Sequence, residues 1–124
     1  MSLTASLVMT TIYDSTVLET YFTNLQRHGR LDQVQTYVIP DRKTPREMLE
    51  RCTDLARRGL KMTCPTLNEQ EEFLRRVGFP SHMIPYDSDN RRNIGYLMAL
   101  ESGSDFMISI EDRKSTRLNS SHRL

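Results

Sequence analysis

Residues 7–39 read LVMTTIYDSTVLETYFTNLQRHGRLDQVQTYVI, and the change of hydrophobic period inside that stretch decides the fold. Residues 7–12 (LVMTTI) form a short apolar run with several β-branched side chains, which suits a strand. The run ends at Tyr13, Asp14 and Ser15, where turn and capping residues collect. The spacing then becomes helical. Val17, Leu18, Tyr21, Phe22 and Leu25 fall on one stripe, Thr16 and Glu19 offer a capping box at its start, and Gly29 stands just past its end. A second apolar run, VQTYVI, follows at residues 34–39, so one β-α unit leads into another strand.

The same punctuation repeats downstream. Pro40 and Asp41 break the second strand, and Thr44-Pro45-Arg46-Glu47 supplies an N-cap, a proline at the first helical position and an acid at the third. Met48, Leu49, Cys52, Leu55 and Ala56 make that helix's stripe, closed by Gly59. A third strand at residues 60–64 passes Pro65 into a helix boxed by Thr66 and Glu69, with Phe73, Leu74 and Val77 inward and Gly78 as its stop. Residues 79–89 form a proline-punctuated connection in which Met83 and Ile84 suit a short strand. A fourth helix is predicted over residues 90–101, with Ile94, Leu97 and Met98 inward and Gly103 as its stop, followed by a strand at 105–110 (DFMISI). Strands alternating with helices over short loops predict an α/β fold. The expected form is a Rossmann-like doubly wound, mostly parallel sheet, βαβαβα and then αβ, covered on both faces.

Residues 112–122 (DRKSTRLNSSH) resemble a different kind of sequence altogether. They match, without a mismatch, the translation of a widely used sequencing-library adapter read from its second base. Such a segment is set aside before fold reasoning. The division is therefore residues 1–111 as evolved sequence and 112–124 as a non-native tail expected to be disordered. The adapter's first base fills the third position of codon 111, so Glu and Asp are equally compatible with the bases before it. Setting aside residues 112–124 removes Arg113, Lys114, Arg117 and Arg123 from 17 basic residues and Asp112 from 16 acids. The formal +1 then becomes 13 against 15, a net −2.

That balance shows no basic stripe of the kind a nucleic-acid or membrane-surface binder needs. No run approaches the roughly 18 apolar residues of a membrane span, and the first dozen residues lack a signal peptide's pattern, so a cytoplasmic location is expected. Cys52 and Cys64 fit no zinc or redox spacing and read as reduced, partly buried thiols.

In sheets of this class ligands sit beyond the carboxyl ends of the strands. That rule singles out Thr10, Thr11 and Tyr13, Asp41 with Arg42 and Lys43, residues 64–66, and Glu111. Thr10 and Thr11 serve equally as ordinary strand residues or as ligand contacts, and Asp41 as a turn former or a ligand contact. Arg91, Arg92 and Asn93 open the fourth helix, where two cations face a positive helix end. Either an anion such as phosphate binds there, or the arginines reach Asp87, Asp89 or solvent.

Taken in order, Arg92-Asn93-Ile94-Gly95, Gly103-Ser104-Asp105 and the strand running into Glu111-Asp112 resemble the GT-A-fold, family-2-like nucleotide-sugar glycosyltransferases. The family pattern is an Arg-Asn-x-Gly helix start, then Gly and Asp, then a strand ending in Asp-x-Asp. The resemblance spans the evolved stretch and implies the truncated nucleotide-sugar-binding half of such an enzyme. It implies a nucleoside-diphosphate sugar as donor and a divalent cation, manganese or magnesium, bridging the two phosphates. Thr10, Thr11, Tyr13 and Asp41 would line base and ribose, Arg92 and Asn93 would approach the nucleotide, and Glu111 would stand at the ribose or, with Asp112, at the metal. Asp112 is an adapter letter, and Glu111-Asp112-Arg113 departs from Asp-x-Asp at the junction itself. The acceptor, a glycan or another molecule, and the catalytic base belong to the family's downstream half, so this stretch alone is expected to be inactive in sugar transfer.

Two other readings compete. Sugar-phosphate nucleotidyltransferases share the sheet but carry a glycine-rich loop after the first strand, and TTIYDST has no glycine. A non-catalytic Rossmann-like nucleotide-binding or interaction domain requires nothing beyond the bare βα repeat.

Overall fold

The computed structural model describes residues 4–10, 16–86 and 89–111. Strand β1 forms at Ala5–Thr10, two residues ahead of the expected start, and Thr11 and Ile12 lie outside the described residues. Helix α1 spans Thr16–Arg27 and buries Leu18 and Phe22. Strand β2 is Val34–Val38 and helix α2 Arg46–Arg57, whose buried face is Met48, Cys52 and Leu55. Strand β3 is Lys61–Thr63, and helix α3, Leu67–Val77, begins with the expected capping box between Thr66 and Glu69. Helix α4, Arg92–Ser102, and strand β4, Phe106–Glu111, complete the chain's described elements. Gly78 and Gly103 end α3 and α4 in the left-handed conformation that glycine adopts without penalty.

The four strands form one parallel sheet in the order β3-β2-β1-β4. The fold is thus α/β, Rossmann-like and doubly wound. Helices α1 and α2 carry the chain outward from β1 to β3, and the chain then doubles back through α3 and α4 to lay β4 against the other side of β1. Leu18 and Phe22 of α1 and Met48, Cys52 and Leu55 of α2 pack on Met9 and Val38 on one face. Phe73 and Leu74 of α3 and Ile94 and Ala99 of α4 pack on Val8, Tyr37 and Ile39 on the other. Each fully buried valine, leucine, isoleucine, methionine or phenylalanine among them contributes about 1.5–3 kcal/mol of transfer free energy.

Helix α4 approaches the sheet closely at Gly95. A β-carbon there would stand 2.5 Å from Val8 Cγ1 and 3.2 Å from Ile39 Cγ1, so glycine sets the distance between helix and strand. At the other end of the sheet, Asp105 accepts from the Thr4 amide at 2.9 Å, and its own amide donates to the Thr4 carbonyl at 3.0 Å, pinning the start of β4 to that of β1.

Three local expectations are corrected. Thr16 and Glu19 do not make the capping box: Thr16 is already helical, and the Glu19 carboxylate accepts from Arg51 at 2.9 Å and Arg58 at 2.6 Å on α2. Two guanidinium groups are stronger partners for a carboxylate than one backbone amide. Met83 and Ile84 form no strand; a 3-10 turn occupies Ser81–Met83, closed by the Met83 amide on the Pro80 carbonyl at 3.1 Å. Prolines at 80 and 85 leave too little uninterrupted backbone for a ladder. Helix α4 starts at Arg92 and not at residue 90, because Asp89–Arg91 take a 3-10 turn first.

Candidate functional site

Because every strand runs the same way, their carboxyl ends gather on one edge, together with the amino ends of the helices that follow. The order β3-β2-β1-β4 reverses direction at β1, so the crevice between the carboxyl ends of β1 and β4 is the switch point at which such sheets bind ligands. Thr10, half-buried, closes β1 and is in register with Glu111, the last residue of β4. The structure therefore brings together two of the residues that the strand-end rule singled out. Thr11, Tyr13 and Asp112 lie outside the described residues, as does the Glu111 side chain.

Asp41 follows β2 on the same edge and is half-buried. Its carboxylate accepts from the Arg42 amide at 2.8 Å, its amide donates to Thr44 Oγ1 at 2.7 Å, and its carbonyl accepts from the Thr44 amide at 3.2 Å. These bonds build a turn that delivers the chain into α2, the backbone role open to an aspartate after a strand. Arg92 is half-buried at the first residue of α4, and Asn93 beside it is exposed.

Arg91 behaves unlike either alternative considered for it. Its side chain is fully buried, donating to the Ile84 carbonyl at 3.0 Å and to Gln70 Oε1. Its guanidinium carbon sits 4.4 Å from the centre of the Tyr86 ring. Among the described residues its Nε has no acceptor. A buried charge is tolerable only when hydrogen-bonded or paired, and here a carbonyl, an amide and a π face share that task.

Gln70 is the hinge of this arrangement. Fully buried on α3, it donates from Nε2 to the Pro40 carbonyl at 2.9 Å and the Pro65 carbonyl at 3.0 Å while Oε1 accepts from Arg91. Both carbonyls lie just beyond β2 and β3, where the ladder no longer satisfies them. The amide orientation is fixed by chemistry, since two carbonyls can only accept and a guanidinium can only donate. Tyr86 adds its hydroxyl, donating to Glu71 at 2.5 Å, and that bond raises the phenol above its ordinary pKa. The exposed Arg42 also stacks on this ring, 4.8 Å from its centre. Gln70 and Tyr86 are residues near this edge that the sequence does not single out. The available signal was position 70 itself, a polar residue in line with the apolar stripe of Phe73, Leu74 and Val77.

Among the described residues no group of three His, Cys, Asp or Glu stands close enough to hold a metal ion. A cavity of about 520 Å³, lined by Leu7, Tyr21, Leu25, His28, Val34 and Ile108, opens instead on the α1 face toward the amino ends of the strands. No helix among the described residues is long and apolar enough to cross a membrane.

No family model and no curated protein matches this chain. The functional reading stands on the residues and their placement.

Proposed function

We propose that the chain is the nucleotide-sugar-binding part of a metal-dependent glycosyltransferase that takes a nucleoside-diphosphate sugar as donor. The observation that supports this best is the register of Thr10 with Glu111 at the switch point, because it sets the family-like strand end beside the crevice such sheets use. In this reading Thr10, Thr11 and Tyr13 line the base and ribose from β1, and Asp41 does so from the end of β2. Arg92 and Asn93 face the phosphates from the amino end of α4, where the helix dipole adds to their pull on an anion. Glu111 and the native residues after it hold manganese or magnesium, which when bound offsets the charge of the departing diphosphate.

Re-reading the transcript past codon 111 tests the reading directly. Asp-Asp or Asp-x-Asp within 111–113 and a continuing frame are expected; a stop codon or an apolar continuation would sink it. On the protein so extended, uridine or guanosine diphosphate should raise the melting temperature only with manganese or magnesium present, since a ligand of the native state stabilises it. Residues 1–124 alone should transfer no sugar.

One observation favours a second reading, a non-catalytic nucleotide-binding or interaction domain. The Arg91 guanidinium is spent on Gln70, Ile84 and Tyr86, and the Asp41 carboxylate takes part in its own turn. A metal-independent shift with nucleotide, or none with any nucleotide, would favour it.

A further inference from the structure

Asp41 and Arg92, proposed for the two ends of the nucleotide, stand on different elements, yet each has a chain neighbour held by the same side chain. Asp41 follows Pro40, whose carbonyl accepts from Gln70 Nε2 at 2.9 Å. Arg92 follows Arg91, whose guanidinium donates to Gln70 Oε1. Gln70 itself is fully buried on α3 and also donates to the Pro65 carbonyl at 3.0 Å. One amide therefore spans the gap between the end of β2 and the start of α4.

The local backbone explains why that span matters. The Ile39 amide still donates to the Met9 carbonyl at 2.9 Å, in line with the ladder. Pro40 has no N–H, so its carbonyl is the one backbone group by which it can be held, and Gln70 holds it. Beyond it the turn closes on itself, the Asp41 amide donating to Thr44 Oγ1 at 2.7 Å and the Thr44 amide to the Asp41 carbonyl at 3.2 Å. On the other side, Asp89–Arg91 make a 3-10 turn and α4 starts at Arg92. Arg91 sends its side chain inward, to Gln70 and to the Ile84 carbonyl at 3.0 Å, and so anchors the first turn of the helix.

We infer that Gln70 is a positioning residue, which sets the separation between the Asp41 turn and the amino end of α4 and thereby matches the base-and-ribose side of the site to the phosphate side. That role rests on the glycosyltransferase reading, whereas the tie itself is read from the hydrogen bonds alone. A ligand that touches both segments gains over its two halves only while their spacing suits it, because the second half then binds intramolecularly. The polarity of the amide makes its two arms separable. Glutamate at position 70 accepts from Arg91 but cannot donate to Pro40, and methionine fills much of the volume while doing neither.

The tie is tested on the full chain without ligand, by backbone order parameters from nitrogen-15 relaxation. Gln70→Met should lower them at both residues 42–44 and residues 92–94, and Gln70→Glu at residues 42–44 alone. Should Gln70→Met fail to fold by circular dichroism, Gln70→Glu carries the experiment. Unchanged order parameters at 42–44 in either folded variant would overturn the proposal. The consequence for the site is tested by calorimetry on the natively extended chain with magnesium, using uridine, pyrophosphate and uridine diphosphate. Both variants should weaken uridine diphosphate by about tenfold while uridine and pyrophosphate each stay within about twofold of the parent. Equal weakening of all three, the mark of a merely structural role, or an unchanged uridine diphosphate affinity would overturn the positioning role. A parent that binds none of the three while the relaxation pattern holds would sink the glycosyltransferase reading and keep the tie.

Discussion

Gln70 shows how much one side chain at the end of a sheet can hold. Its amide satisfies two carbonyls beyond β2 and β3 and one nitrogen of a buried guanidinium. Leucine at that position keeps much of the volume and strands all three partners away from water. Unsatisfied buried groups cost about 1–3 kcal/mol each and partly relax together, so Gln70→Leu should lose about 2–4 kcal/mol in urea denaturation. A loss under about 1 kcal/mol would mean that the cluster is not what ties the strand ends. Little of this was legible in the sequence. The sequence marks Arg91 as a cation near a helix start, but its partners come from residues 70, 84 and 86, on segments whose approach is set by the tertiary fold. Asp41 was legible as a turn former because its partners, Arg42 and Thr44, are local.

The elements themselves were read more easily than their neighbours. The capping box at Thr66 and Glu69 forms, and among the described residues no arginine or lysine pairs with Glu69. The equivalent pattern at Thr16 failed because Arg51 and Arg58 reach across from α2 to Glu19. That clamp has a pH signature. Arg58 first, and then Arg51, hold the Glu19 carboxyl below its ordinary value, so the unfolded chain binds the proton more readily than the folded one. The clamp's stabilisation is thus fully present above about pH 4.3 and is lost as pH falls through the lowered folded value. The melting temperature of Glu19→Gln should lie below the parent's at neutral pH, and the gap should close as the buffer is taken below about pH 4.

The contact of α4 with β1 tests another part of the design. Gly95→Ala drives a methyl onto Val8 and Ile39, both β-branched and fully buried, and should cost about 1–3 kcal/mol as overpacking. Combining it with Val8→Ala should recover part of that loss, a coupling a double-mutant cycle would expose. In the sequence Gly95 was visible only as the last letter of a family-like pattern. Its packing role needed the strand beneath it.

At the level of the molecule, the parallel α/β architecture followed from the alternation of period-two and helical stretches, and the fold agrees. The strand order did not follow, because nothing in residues 105–110 names β1 as their neighbour. Among the described residues β4 pairs on one side only, and on its α1 face Phe106 is 54% and Ile108 40% exposed. An apolar edge strand of that kind invites self-association. Phe106→Thr combined with Ile108→Thr puts β-branched, polar residues at both positions and should reduce concentration-dependent light scattering of the chain.

The place of β1 between β2 and β4 also has a consequence for synthesis. One side of β1 is matched by a strand made soon afterwards, but its other partners, such as Asp105 for Thr4, are 101 residues away. At about 5–20 residues per second, the ribosome leaves that side of the first strand bare for roughly 5–20 seconds. For that interval the nascent chain displays the backbone groups at residues 5–10 that β4 will eventually cover.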